Sequence, residues 1–305
     1  MTPNVAVFST APATLLDRLR RHLPASLTVL RRLQSAARDI GTSPNSHVLL
    51  VSDGDDDDDD GPFTTAYADF SPSPDGQTFI FSTMETRAAE EGRRCEAQLT
   101  ALMEALTRIQ RGQGSRKSIM LASLNSKVRA LLEPTGRLRP RPTGLHDKWL
   151  FDVDRLPAVE QWLPEGLHWG SATLADCKTV VSRSNIPRTP EFLSRLPNVV
   201  IKQEDGTPVV WAFLGEPRLL LNTRLQKTDC CAGVDGTLTS VHCEDAYRRK
   251  GLARTLVVKL FREKIGLLTG DASDTLATAD VSITNEASKS LCRSLNARPI
   301  SVVSW

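Results

Sequence analysis

Leu238-Thr239-Ser240-Val241-His242-Cys243-Glu244-Asp245-Ala246-Tyr247-Arg248-Arg249-Lys250-Gly251-Leu252-Ala253-Arg254-Thr255-Leu256-Val257-Val258-Lys259-Leu260-Phe261 reads as a strand, a short basic loop and a helix. Val241 and Cys243 end an extended run, and Arg248 to Gly251 form the loop. From Leu252 onward the apolar residues fall at Leu252, Leu256, Val257, Leu260 and Phe261, which is helical spacing. A loop that feeds successive backbone N–H groups into a helix N-terminus is suited to an anion, because the unpaired donors and the positive end of the helix dipole face the same way. Gly251 permits a close backbone approach, and Ala253 keeps the next turn thin. Arg248, Arg249, Lys250 and Arg254 add positive charge. The ligand expected for this stretch is a phosphate or pyrophosphate.

The remainder of the chain sets the frame for that loop. A length of 305 residues predicts two domains. The net charge of +2 gives no reason to expect a nucleic acid or a membrane as partner. No run of about 18 apolar residues occurs, and the N-terminus lacks a basic segment followed by an apolar one, so the expected location is cytoplasmic. The cysteines are Cys95, Cys177, Cys230, Cys231, Cys243 and Cys292; they form no CxxC pair and no metal spacing with histidine, so reduced thiols and no metal are expected.

The first half predicts a mixed α/β unit. Thr14 to His22 reads as a helix, and His47–Ser52, Phe63–Phe70 and Thr78–Ser82 read as strands. The run Asp55 to Asp60 repels itself and predicts a solvated loop rather than a cation site. Glu85 to Gln110 carries Leu99, Leu102, Met103, Leu106 and Ile109 at helical spacing. Ser118 to Ala122 is a further strand, and Lys127 to Leu132 a short helix. The Arg- and Pro-rich stretch Arg137 to Gly144 is the expected linker, and residues 141–164 are expected to be a linker or bridging segment between domains at 1–140 and 165–305.

In the second half, Thr173 caps a helix to Ser182 with Asp176 in its first turn, and Thr189-Pro190 starts another. Asn198–Lys202 and Pro208–Leu214 are strands about the turn Glu204-Asp205-Gly206. Ala279–Ile283 is a strand, Asn285 caps Glu286–Leu295, and Ile300–Trp305 is expected to close this sheet.

The signal Arg248-x-x-Gly251-x-Ala253 after a strand, followed by Asn285-x-x-Ser288-x-x-Leu291 on a helix, resembles the GNAT superfamily of acyl-CoA-dependent N-acyltransferases. Pro208-Val209-Val210-Trp211 and Ala246-Tyr247-Arg248 look closest to the branch containing glycine N-acyltransferase. The resemblance covers about residues 165 to 305. It implies an α/β (α+β) GNAT fold, with a mixed central sheet flanked by helices, preceded by a degenerate GNAT-like first half that lacks the R-x-x-G-x-A loop. It further implies acetyl-CoA or another acyl-CoA as co-substrate. The amides of Arg249, Lys250, Gly251, Leu252, Ala253 and Arg254 would hold its pyrophosphate, with Arg248 beside them. The strand at Val241, His242 and Cys243 would pair with the pantetheine arm, and Asn285 and Ser288 would flank the thioester. The expected activity is transfer of an acyl group to an amine, with a small molecule as acceptor, by direct attack in a ternary complex; an N-acetyltransferase is one form of this. The alternative is a CoA-binding pseudoenzyme.

Such chemistry needs a proton acceptor for the amine and donors for the thioester oxygen. Relatives in that branch carry a glutamate at the position of Thr237, which is no base at neutral pH. The candidates are therefore Asp235, two residues earlier, Glu244 at the strand end, and His242, since histidine titrates near neutral pH. His242 lies five positions from Thr237, so strict alternation sends it to the opposite face unless a bulge intervenes. Cys292 occupies the place of a family tyrosine and is a candidate to protonate the leaving thiolate. His168-Trp169 is expected either to wall the acceptor pocket or to belong to the core. Residues 216–233 form an atypical insertion between Gly215 and Val234-Asp235-Gly236. The codons of Gly215-Glu216, Thr228-Asp229 and Ala232-Gly233 are compatible with a retained intron, and a surface loop is the other reading.

Overall fold

Strands covered on both faces are apolar at nearly every position rather than at alternate ones. The strands Phe63–Asp69, Thr78–Ser82 and Pro208–Leu214 are buried at every position, the first with Thr64, Thr65 and Asp69 among its buried residues. In the computed structural model the described residues are 2–38, 42–54, 61–71, 76–86, 92–112, 118–139, 144–184, 188–215, 236–269 and 275–305, with the side chains of 92 and 267–269 excepted. The aspartate run 55–60, the linker residues 140–143, the insertion 216–233 and Asp235 lie outside them. The chain divides into two units, Met1–Lys148 with Ile300–Trp305, and Trp149–Pro299. The expected boundaries at 140 and 164 differ from this division: Leu145–Asp152 is a strand, and the terminal Ile300–Trp305 goes to the first unit.

The first unit runs β1 (Asn4–Phe8), α1 (Ala13–Arg21), α2 (Leu27–Ala36), β2 (Ser46–Ser52), β3 (Phe63–Asp69), β4 (Thr78–Ser82), α3 (Gly92–Gly112), β5 (Leu124–Asn125) and α4 (Ser126–Leu132); β6 (Leu145–Asp152) crosses the division. Strands β1-β2-β3-β4 form an antiparallel sheet in that order, with Asn4 opposite Ser52 and Thr64 opposite Ser82. Leu15, Leu19, Leu30 and Leu33 of α1 and α2 pack on one face, against Val48, Leu50, Tyr67 and Phe79. Leu99, Leu102 and Leu106 of α3 pack on the other, against Leu49, Val51, Ala66 and Ile80. The sequence reading contains neither β1 nor α2. Helix α2 hides because it buries Arg31 and Arg32 inside its apolar pattern; the Arg32 guanidinium lies 3.7 Å from the Tyr67 ring centre, where the ring face replaces water. The expected helix start at Glu85 is a short 3-10 turn, Thr83–Glu85, and the helix itself begins at Gly92.

The second unit repeats the order: β7 (Leu167–Gly170), α5 (Leu174–Ser182), α6 (Pro190–Leu193), β8 (Asn198–Gln203), β9 (Pro208–Leu214), β10 (Leu238–Cys243), α7 (Leu252–Thr269), β11 (Leu276–Ser282) and α8 (Glu286–Ser294), before β12 (Arg298–Ser304). The sheet order is β10-β9-β8-β7, all antiparallel. Leu256, Val257, Leu260 and Phe261 of α7 are fully buried against Val199, Ile201, Val210, Ala212 and Leu214. At about 1.5–3 kcal/mol per buried side chain, this face anchors the helix that the basic loop leads into. Cys177 and Val180 of α5 and Leu193 of α6 cover the other face, against Val200, Trp211 and Phe213. Thr173 caps α5 in a reciprocal capping box with Asp176, and Thr189 caps α6 with Pro190 at its first position. The terminal strand pairs Val303 with Asn125 and Ser304 with Leu124 within the first unit, rather than closing the second sheet. No helix among the described residues is long and apolar enough to cross a membrane.

Candidate functional site

The basic loop is shaped by its backbone. Tyr247 N–H donates to the Glu244 carbonyl, and Arg248 Nε donates to the Cys243 carbonyl at 2.9 Å, so the chain turns sharply off the end of β10. Arg249 at φ +63° and Gly251 at φ +77° are left-handed on either side of Lys250, after the extended Arg248, a turn suited to gathering backbone amides. The first amide after the loop with a backbone acceptor is Thr255, which donates to the Gly251 carbonyl. Among the described residues, the amides of Arg249 to Arg254 donate to no protein acceptor. Such a series of unpaired donors at the head of the 18-residue helix α7 is an anion cradle.

Strand β10 pairs with β9 along one edge only, and its register slips between Thr239 and His242. Thr239 stands opposite Phe213 and His242 opposite Trp211, so one extra residue is accommodated, with Ser240 at φ +51°. The bulge reverses the parity that strict alternation predicts. Thr237, Thr239 and His242 all lie on the face of Trp211 and Phe213, beneath α5 and α6. Val241 and Cys243 instead pack toward the α7 side. On the other edge, β10 meets β11 only at a parallel bridge between Thr237 and Thr278. Beyond that bridge no ladder pairing joins the two strands among the described residues, which leaves polar backbone along β10 available.

On the α5–α6 face the His242 ring stacks on Trp211, with centroids 4.5 Å apart and planes 17° from parallel. Its Nε2 lies 3.6 Å from Glu244 Oε2, and Glu244 Oε1 accepts from Arg183 Nε at 3.0 Å. The Arg183 hydrogen bond, against a lesser desolvation effect, holds the Glu244 carboxyl below the ordinary glutamate value. Glu244 is thereby held as an ionised group beside His242. Arg188 Nη1 donates to Ser240 Oγ at 2.5 Å, tying the bulge to the segment before α6.

The other predicted residues separate. Cys292 is 3 % exposed inside the core under α7, and burial pushes its thiol up to about 12. A thiol so placed fills the core beside Leu291 and Leu295. Burial likewise raises the Cys243 thiol, ahead of smaller charge effects. Asn285 accepts from the Ser288 amide as the cap of α8, which commits both groups to the helix start. Trp169 packs toward α7, with Lys259 Nζ 5.3 Å from its ring, while His168 is exposed, so neither walls the His242 face jointly. Thr237 is buried and its Oγ1 lies 3.2 Å from Thr278 Oγ1. No group of three or more His, Cys, Asp or Glu among the described residues converges as a metal site.

No curated protein matches this sequence significantly. Residues 3–149 match the family described as the acyl-CoA N-acyltransferase verG N-terminal domain. Three solved structures align over nearly the full length. A Drosophila protein is 16 % identical over 95 % of this chain and 93 % of its own, with a TM-score of 0.58. A GCN5-related N-acetyltransferase from Sphaerobacter thermophilus is 15 % identical over 98 % and 94 %, at 0.52. A tandem GNAT protein from the clavulanic acid biosynthesis pathway is 12 % identical over 99 % and 97 %, at 0.50.

The chain has the GNAT fold.

Within that GNAT fold the two units are not equivalent in chemistry. Where the second unit has the basic loop after β10, the first has Glu85 after β4, closed in a capping box with Ser82 and accepting from Asn125 Nδ2 at 2.9 Å. Burial, opposed by those hydrogen bonds and by Lys148, pushes Glu85 up to about 8. Sequence reasoning missed Arg183 as a partner of Glu244, since 61 positions separate them. It also left the side of His242 open, because a bulge carries no dependable sequence mark when its left-handed residue is a serine.

Proposed function

We propose that the second unit is an acyl-CoA-dependent N-acyltransferase acting on an amine, with a small molecule as acceptor. The observation that carries this is the run of unpaired amides from Arg249 to Arg254 at the head of α7, in a segment that also contributes the charges of Arg249, Lys250 and Arg254. This array fits a pyrophosphate, and the free edge of β10 fits an extended amide-bearing arm running along it, which are the two recognition elements of coenzyme A. When bound, acyl-CoA supplies a thioester carbonyl to the amine.

His242 accepts the proton that the amine must lose, and Glu244, fixed by Arg183, steadies the imidazolium that results. The amine nitrogen forms the new bond to the carbonyl carbon, the carbon–sulfur bond breaks, and the imidazolium returns its proton to the departing thiolate. Backbone amides freed by the bulge at Ser240 supply donors for the oxygen as negative charge develops on it. The chain's residues thereby move one proton and form no covalent intermediate.

The experiment is CoA release from acetyl-CoA and longer acyl-CoAs against a panel of amines, with His242→Gln as comparison. Turnover should fall about 10²- to 10⁴-fold in the variant while CoA affinity stays the same. Equal turnover in both proteins removes His242 from the chemistry. A second reading, a CoA-binding pseudoenzyme, draws on Thr237, a buried hydroxyl engaged with Thr278 where the resemblance calls for an acid. Tight CoA binding without turnover of any amine would establish it.

A further inference from the structure

The basic loop does not hold its shape by its own backbone. Among the described residues its amides donate to no protein acceptor, and Arg249 stands at φ +63°. A non-glycine residue in that region persists only where the structure around it over-determines the conformation. On one flank the loop runs into α7, which is fixed by its buried face. On the other flank stands Tyr247, whose side chain packs against the same core cluster. Tyr247 Oη accepts a hydrogen bond from Gln203 Nε2, and neither group has another side-chain hydrogen bond among the described residues. Gln203 ends β8 and is closed into the β8–β9 hairpin: its N–H donates to the Thr207 carbonyl, and its carbonyl accepts from the Gly206 N–H, each at 2.9 Å. The ring of Tyr247 also lies 5.4 Å from Lys250 Nζ, between the two left-handed residues. One side chain thus joins a rigid hairpin to the middle of the turn. Gln203 and Tyr247 are both half-buried and line an open cavity of about 450 Å³, so the bond between them is not sealed in the core.

From this linkage we infer that Tyr247 is a positioning residue for the coenzyme: anchored on Gln203, it holds the turn from Arg249 to Gly251 in its amide-gathering shape before any ligand arrives. The inference rests on the reading above that this loop binds acyl-CoA. A loop already in its bound conformation is spared the cost of ordering when the ligand binds. Tyr247 does this without touching the ligand, through the backbone of the residues that follow it. Its two ends divide the task. The hydroxyl fixes the ring to the hairpin, and the ring face steadies the Lys250 ammonium. Phenylalanine in its place keeps the face and loses the anchor, whereas leucine loses both.

The test is calorimetric titration with CoA, beside thermal melting, of wild type, Tyr247→Phe, Tyr247→Leu, Gln203→Leu and the double variant Gln203→Leu with Tyr247→Phe. Tyr247→Phe and Gln203→Leu should each weaken CoA binding about 2- to 10-fold, the usual worth of one hydrogen bond. The double variant should bind no more weakly than either single one, because both changes remove the same bond. Tyr247→Leu should lose more than Tyr247→Phe. A role in folding alone would lower the melting temperature and leave the Kd for CoA where it was. Gln203→Leu carries the test if the Tyr247 variants melt early. CoA affinity equal to wild type in the folded single variants, or losses that add in the double variant, overturns the inference while leaving the loop as the coenzyme site. Absence of CoA binding by the wild type overturns the acyl-CoA reading, and this inference with it.

Discussion

Gly251 is the position where the anion cradle can be tested by charge alone. Its φ of +77° lies in the left-handed region, and a Cβ built there meets no atom within 4 Å. A substituent is therefore strained but not blocked. A non-glycine residue in this region costs about 1–2 kcal/mol, and asparagine and aspartate tolerate it best. Gly251→Asn and Gly251→Asp should share that strain and differ by one negative charge. In the free protein the introduced carboxylate would stand among Arg248, Arg249, Lys250 and Arg254, so the Gly251→Asp variant should fold. With CoA bound, the new carboxylate faces two phosphate charges. At a separation of about 6 Å and an effective dielectric of about 40–80, suited to an exposed loop, each repulsion is about 0.7–1.4 kcal/mol. The pair amounts to roughly 1.4–2.8 kcal/mol, or about 10- to 100-fold in Kd. Calorimetric titration with CoA at low salt should show Gly251→Asp binding that much more weakly than Gly251→Asn, with similar melting temperatures. Raising the salt should narrow the gap. Equal affinities for the two variants would refute the pyrophosphate assignment.

Three further outcomes are expected. Glu85 has a folded-state value of about 8, above its ordinary 4.5, so its favourable contribution is complete below pH 4.5 and is lost as pH rises through 8. The ceiling on that loss is about 5 kcal/mol. Carboxyl carbon NMR should find one glutamate titrating near 8 that disappears in Glu85→Gln, and the absence of any carboxyl titrating above 6 would contradict it. Deleting residues 216–233 leaves Val234-Asp235 between Gly215 and Gly236, which already hydrogen-bond, with Gly215 N–H also reaching the Thr237 carbonyl at 2.9 Å. The shortened chain should fold with an unchanged circular dichroism spectrum, and an unfolded product would show that the segment is needed. Cys292→Ala should lower stability by about 1–2 kcal/mol through the small cavity it leaves, with kcat within about twofold of wild type; a large fall in kcat at full folding would return Cys292 to the chemistry.

The elements that could be read from residues alone are those whose information is local. The helical spacing from Leu252 to Phe261, the capping signals at Thr173, Thr189 and Asn285, and the apolar runs of β2, β3, β4, β8 and β9 each depend on neighbours within a few positions, and the structure repeats them. The loop from Arg248 to Gly251 is legible for the same reason, since glycine at φ +77° and a helix start close by are marked in the residues themselves. Helix α2 was not, because Arg32 looks like surface until Tyr67 is known to lie under it.

The resemblance implied the GNAT fold and a ligand for the loop, but the assembly of the face that bears His242 was decided only by tertiary structure. Which side of the sheet His242 occupies depends on a single extra residue between Thr239 and His242, and that register is set by the pairing of β10 with β9. Arg183 reaches Glu244 from the end of another helix, and Thr278 meets Thr237 from a strand distant in sequence. The terminal Ile300–Trp305 belongs to the first unit for a similar reason: strand pairing depends on which edge is free in space, and nothing in a six-residue apolar run specifies which edge that is. Local propensity determines that a strand forms, whereas burial and hydrogen-bond pairing determine which face each of its side chains serves.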